Sequence, residues 1–330
     1  MAIIKLRSPR YEVKLTPATA VSAKLQLTID STLRYTIIKE CTAGSNVEFE
    51  ISELCRDYLT VTAASDGFDH DDNQITISRV ITFYDGANAT GNVVTGGDTV
   101  AHTGIDGYGT FLDGVNPTIS SSQVFLVTPD YSTSPDSYKV YAPSGTTGSF
   151  PYLDTNGDVQ YNEFDGSETS TTLRSQTITI ERFDCSRFTP TKILFLNKWG
   201  AIQELYFKTK KVESLNTQKE QFQRNLMSFA TNNTASYDDT KHNIKIFNKN
   251  GKQSYTLSSG YYPEWTNAWF EELLLSEYVW LYRETDTVPY EIVPLNITSS
   301  TFTKKTQLND RLIEYTINFE EAFDTINNIR

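Results

Sequence analysis

A two-residue period recurs along this chain and constrains its fold more than any other feature. Lys24 to Ile29 alternates polar with apolar side chains, Asn46 to Ile51 does so through Val47, Phe49 and Ile51, and Gln176 to Phe183 through Ile178 and Ile180. Near the C-terminus Arg311 to Phe319 repeats the pattern through Leu312 with Ile313, then Tyr315, Ile317 and Phe319. Successive side chains of a strand point to opposite faces, so each run describes a strand half-buried on one face. The residue types agree, since 19 Tyr and 18 Phe against 2 Met is the composition of sheets and not of helical bundles. An all-β protein is expected, and 330 residues are enough for two domains.

Its organisation follows from where the period changes. From Tyr11 to about Tyr84 the runs above are joined by Leu33 to Ile38 and Ile75 to Tyr84, with a turn at Gly44-Ser45-Asn46. After Ile51, Leu54 and Tyr58 stand four apart, as do Cys55 and Leu59, which predicts one or two helical turns capped by Ser52. Residues 1–85 are expected to form a β-sandwich of immunoglobulin or fibronectin size. Residues 86–170 hold most of the 17 glycines, Ser/Thr/Asn/Asp clusters and short apolar runs such as Val124 to Val127, and read as an acidic, loop-rich β insertion on a surface. Residues 171–330 form a second β-domain containing a hairpin from Ile193 to Phe207, whose turn at Asn197 to Gly200 uses a glycine free to take positive φ. One helix is expected there, at about 263–276. Pro263 suits the first helical position, Glu264 the positive end of the dipole, and Trp265, Trp269 and Leu273 recur at four-residue spacing as a face for the sheet. The expected fold is thus all-β, two sandwich-like domains joined by the acidic segment, the second carrying one packed helix.

Charge excludes one large class of partner. Residues 60–170 hold fifteen acidic groups but only Arg79 and Lys139 as bases, a sum of −13 within a chain of −12. Binding to phosphate backbones by counterion release needs a basic surface, so no nucleic-acid partner is expected. No apolar run approaches the roughly 18 residues of a membrane-spanning helix, and residues 1–10 carry no apolar region behind their charges, so neither a span nor a secretory signal is expected. Cys41, Cys55 and Cys185 lack a CxxC pair and read as buried free thiols, with neither a disulfide framework nor a zinc site.

Catalytic signals are weak, and the chain is not expected to be an enzyme. His70, His102 and His242 sit in polar or Gly-rich surroundings without a nucleophile motif and read as surface histidines. Gly104 to Gly109 lacks the strand-before, helix-after context and the Lys-Ser/Thr end of a phosphate loop, and reads as turns. The sharpest ion signal is residues 154–165: Asp154, Asn156 and Asp158, with Glu163 or Asp165, offer the alternating oxygen ligands that calcium takes. Val159 stands where an EF-hand loop needs glycine, and a plain Asp/Asn/Gly turn is the competing account. Asp66 to Asn73 is a second, weaker acidic loop. No other cofactor is expected. The only basic and aromatic cluster is Phe207-Lys208-Thr209-Lys210-Lys211, with Lys219, Phe222 and Arg224, and it suits a salt-bridged contact with an acidic neighbouring subunit. Tyr108 and Phe111, in the Gly-rich middle, are further interface candidates. With Tyr131, Tyr138 and Tyr141 they give a competing expectation, a surface-glycan adhesin that stacks rings on saccharides.

An ordered series of segments carries a resemblance. Val47 to Leu59 ahead of Thr82-Phe83-Tyr84-Asp85-Gly86, then Asp106-Gly107-Tyr108-Gly109 with Asp113 to Pro117, then Phe195 to Gly200, Glu271 to Ser276 and Lys305 to Thr316, resembles the virion tail proteins of phages that infect Bacteroidetes bacteria. The resemblance runs along most of the chain. It implies a non-enzymatic structural subunit of the tail or baseplate region, made in the host bacterial cytoplasm and partnered by copies of itself and by other virion tail proteins.

Overall fold

The computed structural model describes residues 2–326 apart from 69, 71–72, 185–186, 230–233, 284–290, 300 and 307–310. Cys185 and the acids Asp69, Asp71 and Asp72 of the second acidic loop lie outside the described residues. Strands dominate, helices are few and short, and the fold is all-β with several packed sheets.

The N-terminal unit is a six-stranded sheet in the order Thr32–Glu40, Ser22–Ile29, Gln74–Tyr84, Val93–Ile105, Ala2–Lys5, Thr118–Ile119. A two-stranded sheet, Tyr11–Leu15 with Asn46–Glu50, and the short helix Ser52–Arg56 complete this unit. Leu25, Leu27, Ile29, Phe49, Ile77 and Ile81, the inward set of the alternating runs, are all buried in one cluster. Ser52 begins the helix but does not cap it. Ile51 occupies the cap position, and the Ser52 hydroxyl donates to Glu50 instead. The sheet also runs past residue 85, because Tyr84 pairs with Val93 and the next strand continues to Ile105. Glycines and threonines in that strand hide its period.

The C-terminal unit is a seven-stranded sheet in the order Ile202–Phe207, Thr191–Leu196, Val279–Arg283, Glu291–Ile297, Thr316–Glu321, Ile244–Ser258, Lys211–Gln223. Its helix, Asn267–Leu274, follows a 3-10 turn, Glu264–Thr266, and Pro263 is extended (ψ 148°), so the helix begins later than the sequence suggests. Trp269 and Leu273 are buried and Trp265 packs partly buried beside them.

The segment 86–170 is not a surface insertion. Val124, Phe125, Val127, Val140, Phe150 and Phe164 join Ile193, Phe195, Phe207 and Trp269 in one core, and strand Gln176–Phe183 pairs in parallel with Tyr138–Pro143 across the expected boundary at 170. A four-residue apolar run bounded by turn residues is buried on both faces, which is why it shows no alternation.

The two units meet over apolar clusters, Ile3, Ile105 and Ile119 with Leu126, Leu153 and Ala201, and Val61 with Leu194 and Trp280. Beside them the backbones themselves touch. Tyr108 N–H donates to Lys198 O at 3.1 Å, a β-carbon on Gly107 would lie 2.8 Å from Lys198 O, and one on Gly200 (φ +78°) would lie 2.7 Å from Gly107 N.

Candidate functional site

Of the residues anticipated as calcium ligands, Asp154 and Asp165 hold their own turns with their side chains. Asp154 closes the hairpin between Gly148–Leu153 and Val159–Phe164. Its Oδ1 accepts the backbone N–H groups of Asn156 and Asp158, both at 2.8 Å, and its Oδ2 accepts from Asn156 Nδ2 at 3.0 Å. Gly157, at φ +90°, lets the chain reverse. Asp158 Oδ1 accepts from Gln74 Nε2 at 3.1 Å, Glu163 lies along the second strand of the hairpin, and Asp165 Oδ1 accepts the N–H groups of Ser167 and Glu168. The five do not converge on one point. Among the described residues, no three His, Cys, Asp or Glu side chains could jointly hold an ion. Side-chain oxygens that accept turn amides are the Asx motif, so the arrangement is a structural turn. Asp154→Ala is expected to lower stability by about 1 kcal/mol through those lost bonds. Calcium at millimolar concentration should leave the melting temperature of the parent unchanged, and a rise of several degrees would overturn this assignment.

The histidines are not all at the surface. His70 and His102 are buried, and His242 is exposed. His70 Nδ1 accepts from Ala64 N–H at 3.0 Å with its ring edge-on to Tyr161, and His102 Nε2 lies 3.2 Å from Glu12 Oε1. Of the thiols, Cys55 is buried and burial pushes it up to about 12, while Cys41 is half-buried. Lys192 is also buried, at the floor of a hollow of about 760 Å³ lined by Phe68, Glu163, Tyr206 and Tyr282. Burial lowers its pKa and Glu204 opposes that. Its Nζ donates to Gly67 O and to Glu204 Oε1, both at 3.0 Å, and sits over the Phe68 and Tyr282 rings. The amine is thereby used as a joint between the loop at residue 67 and the second sheet.

Interface candidates from the sequence fall into separate groups. Tyr108 and Phe111 follow the last long strand of the first unit. Tyr108 is half-buried under the Arg7 guanidinium, whereas Phe111 is 99% exposed in a turn held by reciprocal Thr110 and Asp113 bonds. The ring platform expected of an adhesin is not assembled, since Tyr138 packs on Phe125, and Tyr141 packs among Tyr262, Trp265 and Trp269. Lys208 and Lys211 are also committed, the first over the Tyr262 and Phe183 rings, the second in an ion pair with Glu213 at 2.8 Å. Lys210, between them, is exposed.

These lysines stand at the root of a feature the sequence reading missed. Strands Lys211–Gln223 and Ile244–Ser258 pair over their full length, but only Ser254–Ser258 also pairs with the neighbouring Thr316–Glu320. Asp324 and Ile326 brace the ribbon as far as Asn250. Beyond that point its two strands pair only with each other among the described residues, and a small hairpin, Met227–Phe229 with Ala235–Tyr237, forms the tip. A thirteen-residue strand spans about 40 Å. Every residue of Lys211–Gln223 and of both tip strands is exposed. So are the large apolar side chains of Val212, Leu215, Phe222, Met227, Phe229, Tyr237, Ile244, Ile246 and Phe247. A β-bulge at Phe247, skipped between the Glu220 and Gln221 pairings, brings its ring beside that of Phe222. A two-stranded ribbon alone is marginal in water, and a long edge strand with exposed apolar residues is a template for association. The exposed apolar side chains are thus clustered on one projecting ribbon and its tip. Neither family models, curated proteins nor solved structures yield a match to the chain.

Proposed function

We propose that the protein is a structural subunit of a phage virion, assembled in the host cytoplasm into the tail or baseplate region through contacts with its own copies and with neighbouring tail proteins, and without chemistry of its own. The observation that carries this reading is the projecting ribbon. The body buries its cores well, yet the arm leaves Leu215, Phe222, Phe229, Ile244 and Phe247 in water. That arrangement costs stability in an isolated chain and is repaid only when the arm is covered. The virion setting rests on the ordered resemblance of segments along the chain.

Mass spectrometry of purified particles tests the setting, and the protein is expected among the virion components. A variant in which 219–249 is replaced by a short turn tests the role of the arm. It should melt within a few degrees of the parent, since the buried clusters contain none of those residues, and should be absent from particles. Absence of the parent from intact virions, or normal incorporation of the arm-less variant, would sink the proposal.

A further inference from the structure

We infer that the arm is covered by the acidic flank of a second copy of this chain, in a head-to-tail contact between two different surfaces. The inference rests on the assembly reading above and names its partner. Between residues 208 and 253 the chain carries nine bases and four acids, a sum of +5, so the remainder sums to −12 − 5 = −17. Arm and body are therefore opposite in sign.

Pairing within the ribbon sharpens the point. Lys219 stands directly opposite Lys249, on the same face, and both are exposed. Like charges in a cross-strand pair repel and destabilise the ribbon. Among the described residues neither these two nor Lys245 has a carboxylate within ion-pair distance, whereas Lys211, Lys241 and Lys252 each do. Among its exposed apolar side chains a free arm thus holds these three cations, and Arg224 with them, without a carboxylate partner among the described residues. An anionic partner relieves the repulsion while covering the apolar residues, and that mixture of charge and apolar surface matches a protein rather than a phosphate backbone. The chain supplies exposed carboxylates of its own within 60–170, at Asp85, Asp113, Asp136, Asp165 and Glu168, beside buried or ion-paired ones such as Asp98, Asp106 and Asp130. Because the arm and its acceptor are different patches, each copy can give one arm and receive one. Such a contact closes into a ring or extends as a filament, and it does not stop at a two-fold dimer.

The test mixes isotopically light and heavy full-length copies at low ionic strength and joins lysines to carboxylates with a zero-length carbodiimide cross-linker. Mixed-isotope pairs linking Lys219, Lys245 or Lys249 to acids within 60–170 are expected. They should fall about tenfold or more at roughly 0.5 M salt, where the screening length is a few ångströms, and in the double variant Lys219→Glu, Lys249→Glu. That variant should keep the parental melting temperature, since the reversed residues are exposed and the like-charge pair across the ribbon changes only in sign. Only same-isotope pairs, or a monomer at every soluble concentration, overturns the inference. So does a DNA duplex that binds the parent and not the double variant while no mixed pairs form. Presence in virions together with any of these results would leave the assembly reading standing and remove only the self-contact. Absence from virions would remove the assembly reading whatever the cross-links show.

Discussion

Trp269→Ala is expected to destabilise the protein by about 3–5 kcal/mol, the cost of emptying a large aromatic site that the surroundings refill only in part. Trp269 is 1% exposed and its ring packs edge-on against Trp265 at 5.0 Å and Tyr141 at 5.8 Å. Its indole Nε1 also donates to Thr128 O at 2.9 Å, so alanine leaves a carbonyl unpaired as well as a cavity. The eight-residue helix that carries it is too short to persist on its own propensity, and packing holds it in place. Trp269→Phe should be milder, keeping most of the buried ring and losing the hydrogen bond. Denaturant unfolding measures both. An alanine variant as stable as the parent would refute the core assignment and move Trp269 to a partner surface.

The second large effect is expected at Glu12. This side chain reaches from the two-stranded sheet onto the six-stranded one, where its oxygens meet Arg10 Nε at 2.9 Å, Arg79 Nε at 2.7 Å and His102 Nε2 at 3.2 Å. Burial alone would raise its pKa. The contacts from His102, Arg10 and Arg79 outweigh that and hold the carboxyl down at about 2, against an ordinary 4.5. Breaking a buried ion pair by removing one partner costs about 3–5 kcal/mol, and Glu12→Gln should fall at the low end, because Asp98 still meets Arg79 Nη1 at 2.6 Å. A depressed carboxyl pKa contributes stability that is complete above about pH 4.5 and disappears as the pH falls toward 2. The parent should therefore lose stability across that window, and Glu12→Gln should show a flatter acid limb. Identical acid limbs in the two proteins would remove Glu12 from the account.

These two sites differ in how far the sequence discloses them. Trp269 and Leu273 are legible because a helix face repeats every four residues, and the half-buried strands at Lys24 to Ile29 and Thr316 to Phe319 because one face is wet. Glu12 is not legible. Nothing local distinguishes it from Glu48 or Glu50, and its meaning comes from Arg79 and His102, which are distant in sequence. Val124 to Val127 escaped for the opposite reason, being dry on both sides and so without alternation. The arm is the instructive case. Lys211–Gln223 is exposed throughout, so neither face had to be apolar and no period was imposed. Its one local signal was the scatter of lysine and phenylalanine from Lys208 to Arg224, which marks the root of the ribbon without disclosing its reach. The acidic loop at 154–165 reads two ways because calcium ligands and turn residues are the same residue types. What the structure adds is that Asp154 accepts the turn amides of Asn156 and Asp158.

The crossing of Gly107 and Gly200 has a mechanical consequence. Main chain rests on main chain there, with no side chain whose rotamer could shift to absorb a load or a substitution. Even a methyl group at either position acts as a wedge and prises the two units apart on the side where it enters. At this point the seating of the units is therefore set by main-chain atoms, beside the apolar clusters that fill the rest of the contact. A side chain at Gly107 or Gly200 would therefore be felt in how the two units seat against each other, with nothing at the crossing to take it up.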